Sequence, residues 1–103
     1  IMCIPNDGSI DGLRNDDVVE ITCDVDKNGC TPHRIGKADE QNLELIRRVK
    51  NYERLSSKAI RERSRSAAIQ ALTLHPLVNS YSIAVKLVDE FIEHNKNYCG
   101  GWK

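Results

Sequence analysis

Asp24-Val25-Asp26-Lys27-Asn28-Gly29 sets oxygen-bearing side chains at alternating positions ahead of a glycine. This is the pattern of the first half of a calcium-binding EF-hand loop. The second half does not follow. The twelfth position, which should supply a bidentate carboxylate, is Ile35, and Pro32 stands where an exiting helix would have to begin. The segment is therefore read as a hairpin turn. Cys3, Cys23, Cys30 and Cys99 are separated by 19, 6 and 68 residues, with no Cys-x-x-Cys. That spacing supports neither a zinc ribbon nor a redox motif, and free thiols behaving as small hydrophobes are expected. His33, His75 and His94 are dispersed, and His75, directly before Pro76, reads as a helix-terminal residue. The glycines form no Gly-x-Gly-x-x-Gly and no phosphate loop. No nucleophile-elbow motif accompanies any serine. The chain thus offers no catalytic residue, no cofactor-binding residue and no metal ligand set of its own.

The elements that would position these groups fall into two kinds. Val18-Val19-Glu20-Ile21-Thr22-Cys23 is rich in β-branched residues and predicts one strand. Asn28-Gly29 predicts a two-residue hairpin turn, with a return strand over Thr31–Ile35 interrupted by Pro32. With the apolar opening Ile1–Ile4, about three strands are expected. After Gly36 the pattern becomes helical. Asp39 is placed to cap a helix whose apolar positions, from Leu43 to Ile60, recur at three- and four-residue steps. A second helical stretch, Ser66–Leu74, ends before Pro76. Without Gly or Pro between them, two helices or a single long one satisfy the pattern. A last helix begins near Ser80 or Ser82 and gives way at Gly100-Gly101. Strands first and helices after define an α+β class, a small antiparallel β part followed by two or three helices.

Composition bounds the rest. The chain has 103 residues, 40% hydrophobic and 29% charged, with 15 basic and 15 acidic residues, which describes one domain over 1–103. Zero net charge argues against a nucleic-acid partner, and no apolar run approaches the ~20 residues that span a bilayer. A cytoplasmic protein is expected. The charge is nonetheless polarised. Arg47, Arg48, Lys50, Arg54, Lys58, Arg61, Arg63 and Arg65 face only Glu53 and Glu62 in the same stretch, while Asp11–Asp26 leans acidic. That basic stretch is either a solvated helix face or a surface for an acidic partner. Ile1 ahead of Met2 suggests an excised piece of a larger protein.

Five strings, in order, carry a specific likeness: Asn6-Asp7-Gly8-Ser9-Ile10; Asp16-Asp17-Val18-Val19-Glu20; Val25-Asp26-Lys27-Asn28-Gly29 with Pro32 and Gly36; Val49-Lys50-Asn51-Tyr52-Glu53-Arg54-Leu55; and Ala71-Leu72-Thr73-Leu74-His75-Pro76-Leu77-Val78. Together they resemble the C-terminal portion of glycoside hydrolase family 4, most closely its 6-phospho-β-glucosidases, over nearly the whole chain. The resemblance implies a parent with an N-terminal dinucleotide-binding domain like that of lactate and malate dehydrogenases, and a C-terminal α+β domain closing over a 6-phosphoglycoside. It also implies NAD and a divalent metal, usually manganese, in an oxidation and elimination scheme instead of the two-carboxylate one. The family's cofactor loop, Cys and His metal ligands and catalytic Tyr lie upstream of this region. Cys3, Cys23, His33 and Tyr52 therefore do not inherit those roles, and the fragment alone is expected to be inactive. Within the chain only the Asn6-Asp7-Gly8 turn matches a family motif on the substrate side. Association into a homo-oligomer is expected of a domain whose apolar surface is normally covered.

Three departures from the family pattern stand out. Lys58-Ala59-Ile60 replaces an acidic-Ala-Ala run, and Glu62-Arg63-Ser64 replaces a Thr-Gly-Asp break, while Arg14 stands where Pro is common. Losing the glycine would permit two helices to fuse. The rival readings are a non-catalytic interaction module built on the Arg-rich helix, and a family member that has lost hydrolysis.

Overall fold

The computed structural model describes residues 1–103, which pack as two compact units, 1–44 and 45–103. In the first unit, β1 (Met2–Pro5) and β2 (Val18–Ile21) form one antiparallel pair with Cys3 opposite Glu20. A second pair joins β3 (Cys23–Asp26) to β4 (Gly29–Pro32) with Val25 opposite Cys30. Alternation along β2 turns Val19 and Ile21 inward. There they meet Ile10, with Ile4, Leu13, Cys23, Ala38 and Leu43 packed around them. Between β1 and β2 the chain makes a long excursion. It is tied back by a parallel bridge from Ile10 to Gly36 and by the Asp11 N–H donating to the Gly36 carbonyl at 2.8 Å.

Four short strands stand where about three were expected. The strand predicted over 18–23 is cut at Thr22 because its two halves pair with different partners, β1 for one and β4 for the other. The return strand lies earlier than Thr31–Ile35 and ends at Pro32, which pairs with Cys23, while the His33 N–H just beyond it still donates to the Thr22 carbonyl at 2.9 Å. The turn also moves. Lys27 and Asn28 form its two-residue tip, and Gly29 follows at φ +132°. No other hairpin residue has a positive φ, so the tip lacks the two left-handed central residues that a type I′ turn centred on Asn28-Gly29 would need. The Asp26 carboxylate accepts from the Asn28 backbone N–H at 2.7 Å and from its side-chain amide at 3.2 Å.

The helices are α1 (Glu40–Glu62), α2 (Arg65–Leu74) and α3 (Tyr81–His94). Asp39 caps α1 as predicted, accepting from the Asn42 N–H. Ser80 caps α3 and accepts from the Ile83 N–H. The α1–α2 break survives without its glycine. Arg63 takes φ +51°, and the Ser64 N–H reaches the Ala59 carbonyl at 2.9 Å, closing a left-handed C-terminal motif with Arg in glycine's usual place. Ser64 then caps α2 through the Ala67 N–H. His75 ends α2 in an extended conformation, as the following Pro76 demands. Ile69, Ala84 and Val88 are the buried centre of this unit, flanked by Leu72, Val78, Val85 and Ile92.

Candidate functional site

The turn at Asn6-Asp7-Gly8 leaves β1 through two consecutive left-handed residues, Asp7 at φ +40° and Gly8 at φ +76°. A non-glycine residue held there costs energy, so the surroundings must enforce it. They do so through Asn6. Its side chain is fully buried, with the amide donating to the Ile10 carbonyl at 3.1 Å and the amide oxygen accepting from the Ile10 N–H at 2.8 Å. Its backbone N–H donates to the Asp17 carbonyl at 2.7 Å, and its carbonyl accepts from the Ser9 N–H at 2.7 Å. The Asp7 N–H donates to the Asn15 carbonyl at 3.1 Å. Asp17, itself buried, accepts from the Arg14 N–H through its carboxylate at 3.0 Å.

Arg34 completes the brace. Its Nη2 donates to the Gly8 carbonyl at 2.7 Å, and a Cβ at position 8 would lie 3.1 Å from that nitrogen. Gly8 is thus favoured by its φ, and a side chain there would also have to displace the guanidinium by a few tenths of an ångström. The Ile35 and Gly36 N–H groups both donate to the Ser9 carbonyl, at 2.9 and 3.1 Å. The three predicted residues therefore form one rigid turn with divided tasks. The Asn6 amide is consumed by Ile10 and holds the shape from behind, whereas Asp7 is exposed and Gly8 is partly so. Sequence reading missed the roles of Arg34 and Asp17, because the family string that holds Asp17 names no contact for it and Arg34, in no motif, is 26 positions from its partner.

The other chemically capable groups stay apart from this turn. All four cysteines are free thiols, as expected. The Cys23 thiol is pushed up by burial and by a hydrogen bond with Cys30, which keeps it protonated and poorly nucleophilic. His33 lies 2.9 Å from the Asp24 carboxylate. Nowhere do three His, Cys, Asp or Glu side chains converge as a metal would need. Tyr52 packs edge-on against His75 with ring centroids 4.5 Å apart. It also lines a half-open apolar hollow of about 290 Å³, together with Ala59, Ala68, Ala71, Phe91 and Trp102. Much of the basic stretch is engaged within the chain. Arg48 donates to the Asn79 amide oxygen, Lys50 pairs with Glu53, Arg54 donates to the Asn51 amide oxygen, and Arg65 pairs with Asp89. This weakens the reading of that helix as an open surface for an acidic partner. No helix is long and apolar enough to cross a membrane.

Two antiparallel strand pairs followed by three helices, with a braced turn leaving β1, define an α+β fold. Residues 1–78 match the family described as "Family 4 glycosyl hydrolase C-terminal domain", and the chain belongs to that family. Relatives include the Thermotoga maritima 6-phospho-beta-glucosidase BglT, 40% identical over 90% of this chain. The Clostridium acetobutylicum maltose-6'-phosphate glucosidase MalH is 36% identical over 95% of it. Among solved structures, a 6-phospho-alpha-glucosidase from gut microorganisms in complex with NAD and Mn2+ superposes with a TM-score of 0.92 at 30% identity, covering 98% of this chain and 23% of that one. The Thermotoga maritima 6-phospho-beta glucosidase with NAD and glucose-6-phosphate gives 0.84 at 38% identity, covering 94% and 24%. The chain spans only 22% of the length of either curated relative.

Proposed function

We propose that this chain is the C-terminal part of a two-domain, cytoplasmic 6-phospho-β-glucosidase that hydrolyses 6-phosphoglycosides with NAD and a divalent metal. The observation that carries the reading is the family match over residues 1–78, joined to relatives whose names are all those of phosphoglucosidases. The β preference rests on the likeness to the Thermotoga and Escherichia coli β-enzymes, at 40% and 38% identity. In the whole enzyme NAD supplies reversible hydride removal from the sugar and the metal supplies Lewis acidity. No three ligands converge in this chain, so no step is assigned to a metal held here. The task of this chain is to present a rigid turn. Asp7 and Gly8 face the substrate side, Asn6 and Arg34 fix their backbone, and the isolated fragment is inactive.

The test uses the intact protein that contains this chain, supplied with NAD and manganese and offered 6-phospho-β- and 6-phospho-α-glucosides. Turnover of the β-anomer is expected. Turnover of the α-anomer alone would overturn the stereochemical part, and binding without turnover of either would favour a member that has lost hydrolysis. In the same protein, Asp7→Ala and Gly8→Ala should each lower kcat/KM at least several-fold. Unchanged kinetics in both would remove the turn from the substrate site.

A further inference from the structure

We propose that Asn28 is a site of spontaneous deamidation, forming a succinimide with Gly29, and that the product remodels the β3–β4 turn. Of the eight asparagines, Asn28 alone precedes a glycine. The reaction requires the main-chain nitrogen of the following residue to reach the asparagine side-chain carbonyl carbon, and any side chain on that residue obstructs the approach. Here nothing obstructs it. Both residues are exposed at the hairpin tip, and a Cβ built on Gly29 would meet no atom within 4 Å. Asn6 provides a contrast, being fully buried with its amide held on both sides by Ile10.

The chemistry balances without oxidant or cofactor. The Gly29 nitrogen gives up its proton to base and bonds to the Asn28 Cγ, and the Cγ–Nδ2 bond breaks with nitrogen leaving as ammonia. Water then opens the five-membered ring. Cleavage of the new N–Cγ bond leaves aspartate at position 28, and cleavage of the original peptide C–N bond leaves isoaspartate. Either product acts on the contact that shapes the tip. The Asn28 amide now donates to the Asp26 carboxylate at 3.2 Å, and a carboxylate in its place is an acceptor facing an acceptor. The net charge falls from zero, with the added negative charge beside Asp26. Isoaspartate also lengthens the main chain by one methylene, where the pairing of Asp26 with Gly29 leaves room for only two residues.

Purified protein is aged at mildly acidic and mildly alkaline pH, digested and followed by mass spectrometry. The peptide holding Asn28-Gly29 should gain one mass unit and split into two isomers, faster at alkaline pH and ahead of every other asparagine. Gly29→Ala should suppress the reaction several-fold, and Asn28→Gln should abolish it. If the folded protein reacts far more slowly than its urea-unfolded form, or another asparagine reacts first, the assignment fails. Charge-separated aged protein should show faster amide exchange in β3 and β4, and unchanged exchange there would overturn the remodelling.

Discussion

Arg65 and Asp89 face each other across α2 and α3 as a two-point pair, with Nε to Oδ1 at 2.6 Å and Nη2 to Oδ2 at 2.9 Å. They join the first residue of α2 to the body of α3, 24 positions away in sequence. Such a fork fixes direction as well as distance, which a single ion pair cannot do.

The pair makes stability depend on acid. The hydrogen bonds from Arg65 hold the Asp89 carboxyl below its usual range, outweighing the desolvation that acts the other way. A carboxylate with a depressed folded pKa contributes stability above its unfolded value, about 3.9, and loses it as pH falls through the folded value. Asp89→Asn should therefore be less stable than the parent at neutrality, with the difference closing as pH falls below the unfolded value and through the depressed folded one. Urea unfolding over that range checks it. A constant difference at every pH would assign the effect to packing.

Arg63 sits at φ +51° as the turn residue between α1 and α2. Arg63→Gly should stabilise the chain by about 1 kcal/mol, since relief of left-handed strain exceeds the entropy that glycine adds to the unfolded state. The backbone bonds that hold the break remain available. The Lys103 N–H donates to the Arg63 carbonyl at 2.8 Å and the Arg65 N–H to the Lys103 carbonyl at 2.7 Å, neither using a side chain. A raised urea midpoint with an unchanged slope is the expected reading. A lowered midpoint would mean that the Arg63 side chain, which lies against Gly101, outweighs the strain.

Asn6→Ala should cost about 3 kcal/mol, because it leaves both the N–H and the carbonyl of Ile10 without their partner in a buried site. Asn6→Asp should not rescue it. A carboxylate still accepts from the Ile10 N–H but presents charge to the Ile10 carbonyl. Denaturant titration of both variants checks the order, and a near-neutral Asn6→Asp would show that only one of the two bonds matters.

Much of the architecture was open to sequence reading because it is local. An Asp, Ser or Pro acts within three or four residues of itself, so the cap at Asp39, the cap at Ser80 and the stop at Pro76 follow from neighbours along the chain. The turn at Asn6-Asp7-Gly8 was visible for the same reason. The cut at Thr22 was not, since β propensity continues unbroken across it and only the choice of pairing partner divides the strand. The persistence of the α1–α2 break was hidden as well. Arg63 has no preference for a left-handed conformation, and the break is braced from the far end of the chain by Lys103.

The order of residues by itself determined the class, the family, where α1 and α3 begin and where α2 stops, since composition, periodicity and capping act over a few positions. It did not determine the end of α3, which lies at His94 and not at the expected Gly100-Gly101. The tertiary structure alone decided that Arg34 grips Gly8, that Arg65 grips Asp89 and that the Asn6 amide turns inward while Asp7 is left exposed. Two of these contacts join residues 26 and 24 positions apart, where no sequence period operates. The third depends on burial, which exists only once the chain has closed around the side chain.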